Sequence, residues 1–360
     1  MSLKNLIQSI NKKDGENTVK FFGEDINLPK LPTGVFTLDA ILRGGIPRAS
    51  VTEILGQEST GKSTLCYHII AQTQKLIPDR HCVYIDMEHA FNPKYAKDAG
   101  VDLKSLVFIQ PQNGNKATDY VELFAKTGEV SLIVLDSVAA LVTEQEEQSS
   151  MDETTMSLGT AKLMAKFCRK IPPVLSSTDT TVIMINQWRE KPTPYGNPKV
   201  SYGGHALKYT AKLRLDLSKK ADSETGFRIT AKVLKNKAGG DPLKEASYTI
   251  KFGEGIDQLG SLIEYAIEAE IIERRSSNYY FEGELIAKGR EAVIDQIKAN
   301  KGLFDKVATA ALTKIAEISE PTSSTLNKTP SIDYEVDETS LDNVDPDYLD
   351  NLSNEELEDK

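Results

Sequence analysis

The stretch Gly56-Gln57-Glu58-Ser59-Thr60-Gly61-Lys62-Ser63 has the spacing GxxxxGK[ST], and that spacing suits phosphate capture. A loop that wraps a phosphate needs glycines where the backbone is strained or crowded, and N–H groups that point inward. Lys62 supplies a cation for β- and γ-phosphates and Ser63 a hydroxyl for Mg²⁺, while Thr64 leads into a helix whose N-terminal dipole favours an anion. Further along, the apolar run LIVLD ends in Asp136, a carboxylate placed to hold Mg²⁺ directly or through water. Hydrolysis also needs a group that orients or deprotonates water. Glu88, in YIDMEHA, lies just past a strand end, where α/β sites collect polar groups, and is assigned that role. Asp86 is the alternative base, although its place at the end of the strand suits a structural role better. ATP and Mg²⁺ are the cofactors expected.

The elements that must position these groups follow in order. Strands are expected at Ser50–Leu55, Cys82–Asp86, Leu106–Ile109, Leu132–Asp136 and Thr181–Asn186, and helices at about Lys62–Leu76, Lys116–Lys126 and Met156–Ile171. Short apolar strands separated by helices indicate a parallel sheet covered on both faces. AKLRLDL, FRITAKV and ASYTIKF then alternate with period two, as half-buried antiparallel strands do. The expected fold is α/β: a mainly parallel central sheet, an antiparallel edge extension, a short N-terminal helix (Leu3–Lys12) and a small C-terminal α/β domain. Four regions result: residues 1–32, helix and linker with the pair Phe21-Phe22; 33–258, the nucleotide-binding core; 259–319, the small domain with one strand-like element, SNYYFEGELI; and 320–360, a tail whose composition indicates disorder.

Composition excludes other classes. Across 360 residues, 39% are hydrophobic and 27% charged, enough for a sizeable core, and the apolar runs fall far short of the roughly 20 residues that cross a bilayer. The N-terminus has no signal-peptide pattern. Three scattered cysteines and four dispersed histidines offer neither a disulfide framework nor a zinc site, so a reducing cytoplasm is expected. The net charge of -10 is unevenly spread. Ser331–Lys360 holds twelve acidic residues and a single lysine, so a nearly neutral body carries a strongly acidic tail.

Several stretches together resemble the bacterial RecA recombinase family, including phage-encoded members: TGVFTLDAILRGGIPR, GQESTGKSTL, YIDMEHAFNPKYAKDAGVD, IVLDSVAAL, INQWR, GNPKVSYGGHALKY, VLKNK and FGEGI. The resemblance runs from about Leu31 to about Lys301 and implies a RecA-like P-loop ATPase core. By this resemblance Glu88 is the water-activating glutamate, and Gln187 senses the γ-phosphate and relays its state to a DNA-binding loop. Lys235 and Lys237 match lysines that reach the nucleotide of the neighbouring subunit. Asn92, where the family usually has Asp, and Tyr95 stand on the adenine side. Two segments, around Thr143–Met156 and Glu190–Gly204, match the family's DNA-binding loops. The first is acidic, so Met156 is the residue there placed against a base. The second carries Arg189, Lys191, Tyr195, Lys199, Tyr202 and the pair Gly203-Gly204, and cations with aromatic wedges suit a sequence-tolerant single-strand site. Lys162 and Arg169 match basic positions on the helix between the loops, and Arg290 one that helps capture duplex DNA.

The resulting expectation is an enzyme: a DNA-dependent ATPase that polymerises as a helical filament on single-stranded DNA, pairs it with homologous duplex and exchanges strands. Single-strand-binding or loader proteins are possible partners, and the expected location is the cytoplasm of a bacterium, or of the host if phage-encoded. The alternatives are a helicase motor built on the same core, and a nucleotide-gated filament scaffold with little turnover.

Overall fold

The computed structural model describes residues 2–14, 19, 29–148, 158–190, 199–240 and 243–319. Six strands of the main sheet run parallel, from Leu213–Asp222 through Val51–Gly56, Thr181–Glu190, Val130–Asp136 and His81–Asp86 to Leu106–Ile109 at one edge. Period-two side chains send alternate residues to opposite faces. Leu132 and Val134 therefore join Ile54, Ile183 and Leu215 under the helix Lys62–Leu76, which contributes Leu65, Ile69 and Ile70. Ile133 and Leu135 face the other way, against Val121 of the helix Gly114–Lys126 and Met164, Phe167 and Ile171 of the helix Leu158–Thr178. Each such fully buried aliphatic side chain contributes roughly 1.5–3 kcal/mol, so both helical layers are firmly held.

The antiparallel extension is present, and it begins one strand later than the alternation suggested. Leu213–Asp222 runs parallel to Val51–Gly56, and only Gly226–Asn236, Glu245–Lys251 and Gly255–Ile256 continue antiparallel. The polar positions that produced the alternation in this strand are internally partnered: Arg214 pairs with Glu53, and Asp216 accepts a 2.7 Å hydrogen bond from Trp188 Nε1. The helix expected to stop at Ile171 continues to Thr178 through Pro172-Pro173, because Leu175 extends its buried stripe.

Residues 258–319 form a second lobe with its own core, including Leu262, Ile263, Ile272, Val293, Val307 and Ile315, completed by Phe36 from the helix Phe36–Ile41. Its sheet has three antiparallel strands, Ile272–Arg275, Asn278–Phe281 and Glu284–Lys288, where the sequence suggested one strand-like element. Ile272 is the sole buried residue of the first strand, so IERR carries no alternation to read. Helices Gln258–Glu268, Arg290–Ala299 and Lys301–Ser319 cover the sheet. The N-terminal helix Leu3–Asp14 leaves Leu3 and Leu6 exposed. Among the described residues no helix is long and apolar enough to cross a membrane.

Candidate nucleotide site

Parallel β-strands collect functional groups at their carboxyl ends, and register fixes which groups meet. Gly56 stands opposite Gln187, and Asp86 opposite Asp136. From Gly56 the chain passes through Gln57, Glu58 and Ser59, all exposed, to buried Thr60 and the helix start at Lys62. Two glycines are sterically required. A Cβ on Gly56 would lie 2.7 Å from the Leu217 carbonyl oxygen, and Gly61 has φ +74° with Ile250 Cδ1 2.3 Å from where its Cβ would be. The loop is closed by Thr60 Oγ1 and Lys62 Nζ, which donate to the Gln57 carbonyl at 2.9 and 2.6 Å. Thr64 Oγ1 and the Tyr95 hydroxyl lie 3.3 Å apart, linking the helix to the segment of Asn92. Asn92 caps the helix Pro93–Asp98 by accepting from the Tyr95 N–H at 3.1 Å.

Asp136 is the electrostatic centre. Ser63 Oγ and the Tyr84 hydroxyl both donate to its Oδ2 at 2.6 Å. Burial pushes its carboxyl above the ordinary aspartate value, those two hydrogen bonds pull it back, and Glu88 and Asp86 push it up again. Lys62 is driven down by burial, against the opposing pull of Asp136, Glu88 and Glu58. Exposed Glu88 is held from two sides: Ser137 Oγ and Gln187 Nε2, the latter at 3.2 Å, both donate to its Oε1. Asp86 is consumed in shaping the turn. It accepts from the N–H groups of Glu88, Ala90 and Phe91 and from Gln110 Nε2. Lys62, Ser63, Glu88, Asp136 and Gln187 thus converge. A hydroxyl beside a carboxylate, facing a phosphate-shaped loop, suits a hard cation that also takes phosphate oxygens. Among the described residues no group of three His, Cys, Asp or Glu side chains could hold a metal by itself.

The family model of the RecA N-terminal domain matches residues 1–257 and that of the RecA C-terminal domain residues 260–316. The chain belongs to the RecA family. Relatives include Protein RecA of Gloeobacter violaceus, 38% identical over 323 residues, covering 88% of this chain and 86% of the relative. Protein RecA of Thermus aquaticus is 38% identical, with 88% and 95% covered, and that of Mycoplasma mobile 37% identical, with 88% and 97% covered. As a RecA family member the chain is an ATP-dependent homologous recombination protein and a DNA-dependent ATPase. Nucleotide binding, DNA binding and oligomerisation come with the family.

The other described candidate residues of this RecA family chain lie apart from that cluster. Lys235 pairs in register with Arg214, which stands opposite Glu53, three residues or ~10 Å along the strand from Gly56. Its Nζ donates to the carbonyls of Lys208 and Tyr209 at 2.8 and 2.9 Å. Lys237, beyond the strand, is exposed. Exposed Lys162 and Arg169 lie seven residues apart on the helix Leu158–Thr178, hence on one face. Arg189 is exposed near the end of its strand, which pairs antiparallel with Lys199–Ser201. Gly203 and Gly204 have φ +77° and +75°, and Cβ atoms there would press on Met164, Val138 and Ala161. Met156, Lys191, Tyr195 and the Phe21-Phe22 pair fall outside the described residues. Arg290 shares Glu264 with Arg228, at 3.2 and 2.8 Å. Two acids of the first loop are engaged within the fold: half-buried Glu146 accepts from Thr143, and exposed Glu147 from Asn113.

Sequence reasoning missed Tyr84, whose hydroxyl reads like any core tyrosine until Asp136 is seen beside it. It also missed Glu53 and Asn186, although a glutamate inside the strand VTEILG was a visible anomaly.

Proposed function

We propose that ATP with Mg²⁺ binds on Gly56–Thr64, facing Asp136, at a seam between two subunits of a helical filament on single-stranded DNA. The observation that carries this reading is the convergence of Ser137 and Gln187 on one Glu88 oxygen, beside the Ser63–Asp136 pair. ATP supplies the phosphoanhydride, and Mg²⁺ neutralises charge on its phosphates. The loop N–H groups hold the phosphates, Lys62 adds a cation, and Ser63 and Asp136 hold the metal. Glu88 accepts a proton from the attacking water at its carboxylate. Gln187, hydrogen-bonded to the same oxygen, exchanges that contact for the γ-phosphate and so reports its presence to the strand leading into the second DNA loop. Lys235 and Lys237 stabilise developing charge at the neighbour's site, and Asn92 and Tyr95 flank the base. Met156, Lys162, Arg169, Arg189, Lys191, Tyr195, Lys199 and the Gly203-Gly204 pair contact the single strand, and Arg290 the incoming duplex. Pairing with homologous duplex and strand exchange take place in the cytoplasm, with single-strand-binding or loader proteins as accessory partners.

The test is phosphate release without DNA, with single-stranded DNA and with duplex, alongside electron microscopy. Filaments and a strong single-strand stimulation are expected. Filaments with unstimulated release would favour the scaffold, and duplex unwinding without strand exchange the helicase.

A further inference from the structure

Behind the nucleotide loop lies a buried polar group that the catalytic reading leaves unused. Glu53 has no exposed surface and sits mid-strand in Val51–Gly56, every residue of which is buried. Its Oε2 takes an ion pair from Arg214 Nε, and its Oε1 accepts from Asn186 Nδ2 at 2.8 Å. Arg214 is 6% exposed and Asn186 fully buried. The same Asn186 Nδ2 donates to the Tyr202 carbonyl at 3.0 Å, and Asn186 Oδ1 accepts from the Gln187 N–H at 2.8 Å. Arg214 in turn stands opposite Lys235.

A buried ion pair gives little net stability over an apolar pair of similar volume, so burial economy does not explain this one. What the group does is geometric. One carboxylate is anchored on the strand that ends in the phosphate loop, three residues before Gly56. Through Asn186 it holds the residue preceding Gln187 and the backbone beside Gly203-Gly204. Through Arg214 it reaches the strand position of Lys235, which also grips the carbonyl end of the helix His205–Thr210.

We propose that Glu53 and Asn186, steadied by Arg214, are positioning residues that fix the second DNA loop, the γ-phosphate sensor and the Lys235 strand in one frame. A displacement of Gln187 is thereby passed both to the loop that holds DNA and to the face offered to the next subunit. This deepens the reading of Gln187 given above and rests on it. Both residues are fully buried behind the strand ends, so their loss uncouples the sites without emptying them.

The protein carries its own reporter. Trp188, the one tryptophan, directly follows Gln187 and is tied to Asp216 beside Arg214. The experiment measures the full chain in three ways: single-strand affinity with and without a non-hydrolysable ATP analogue, affinity for that analogue, and Trp188 fluorescence on adding it. The expected result for Asn186→Ser is analogue affinity within about threefold of wild type, a nucleotide-induced gain in single-strand affinity that falls to within twofold of none, and loss of the Trp188 response. If Asn186→Ser keeps the wild-type gain and response, the proposal is overturned while the reading of Gln187 stands. If the wild-type chain itself shows no gain, that reading fails and the proposal with it. Should Asn186→Ser not fold, Arg214→Lys, which keeps the buried charge but not the fork, is expected to give the same uncoupling, and full coupling in it overturns the proposal equally.

Discussion

Glu88 can be tested apart from nucleotide binding, because it is exposed and its neighbours Ser137 and Gln187 are polar groups that a glutamine can also satisfy. Glu88→Gln is expected to keep ATP affinity and filament assembly while slowing phosphate release on the order of 10²–10⁴-fold, the usual contribution of a general base. Unchanged release would move the base elsewhere, and Asp86, occupied by three N–H groups and an amide, is a poor substitute. Tyr84→Phe probes Asp136 in another way. Removing the hydroxyl takes away one of the two hydrogen bonds that hold down a carboxyl already raised by burial. The acid limb of the ATPase pH profile should therefore move to higher pH, at a stability cost of about 1 kcal/mol. An unmoved limb would show that Asp136 does not set it. The phosphate loop was legible in the sequence because its chemistry is local, eight residues in a row. Glu53 was not, because its partners Asn186 and Arg214 lie 133 and 161 residues away.

At the level of elements, the helices Lys62–Leu76 and Phe36–Ile41 each bury a titratable group, with opposite consequences. His68, on the first, accepts from the Ile256 N–H at 2.9 Å, and burial pushes its pKa down to about 4. A neutral histidine of this kind adds stability above its unfolded value near 6.5, and that stability is lost as pH falls toward 4. Asp39, on the second, accepts from the Thr33 N–H and hydroxyl at 2.8 Å, yet burial raises it to about 7. Its contribution is complete below the unfolded value near 4 and is lost as pH rises through 7. Between pH 7 and 5 the two changes are each about 2 kcal/mol and of opposite sign. His68→Gln should therefore gain stability toward pH 5 relative to wild type, and Asp39→Asn should lose it. Denaturant midpoints at the two pH values check this, and parallel shifts in both variants would refute it. Strand directions were harder to read than strand positions. Leu213–Asp222 alternates like an antiparallel strand because Arg214 and Asp216 have internal partners, which no local pattern reveals.

Across the whole molecule, charge is segregated. The -11 balance of Ser331–Lys360 leaves the other 330 residues at +1, and the acidic stretch follows the helix Lys301–Ser319 of the small lobe. That lobe carries Arg290, whose guanidinium already pairs with Glu264, a carboxylate it shares with Arg228. On the reading proposed above, a duplex captured at Arg290 competes with one carboxylate inside the fold and with the carboxylates that the sequence concentrates after that lobe. Both competitions are Coulombic, but salt acts on them unequally. Charge on the tail acts over a Debye length of about 10 Å at 0.1 M salt, whereas the half-buried Glu264 contact is screened less. Removing residues 331–360 should therefore tighten duplex binding several-fold at low salt, and the advantage should shrink as salt rises. Glu264→Gln in the full-length chain should give a smaller gain that persists further up the salt series. Duplex affinity read by fluorescence anisotropy from about 50 to 300 mM salt separates the two. Equal affinities for full-length and truncated protein at every salt would mean that the tail's charge does not oppose duplex capture.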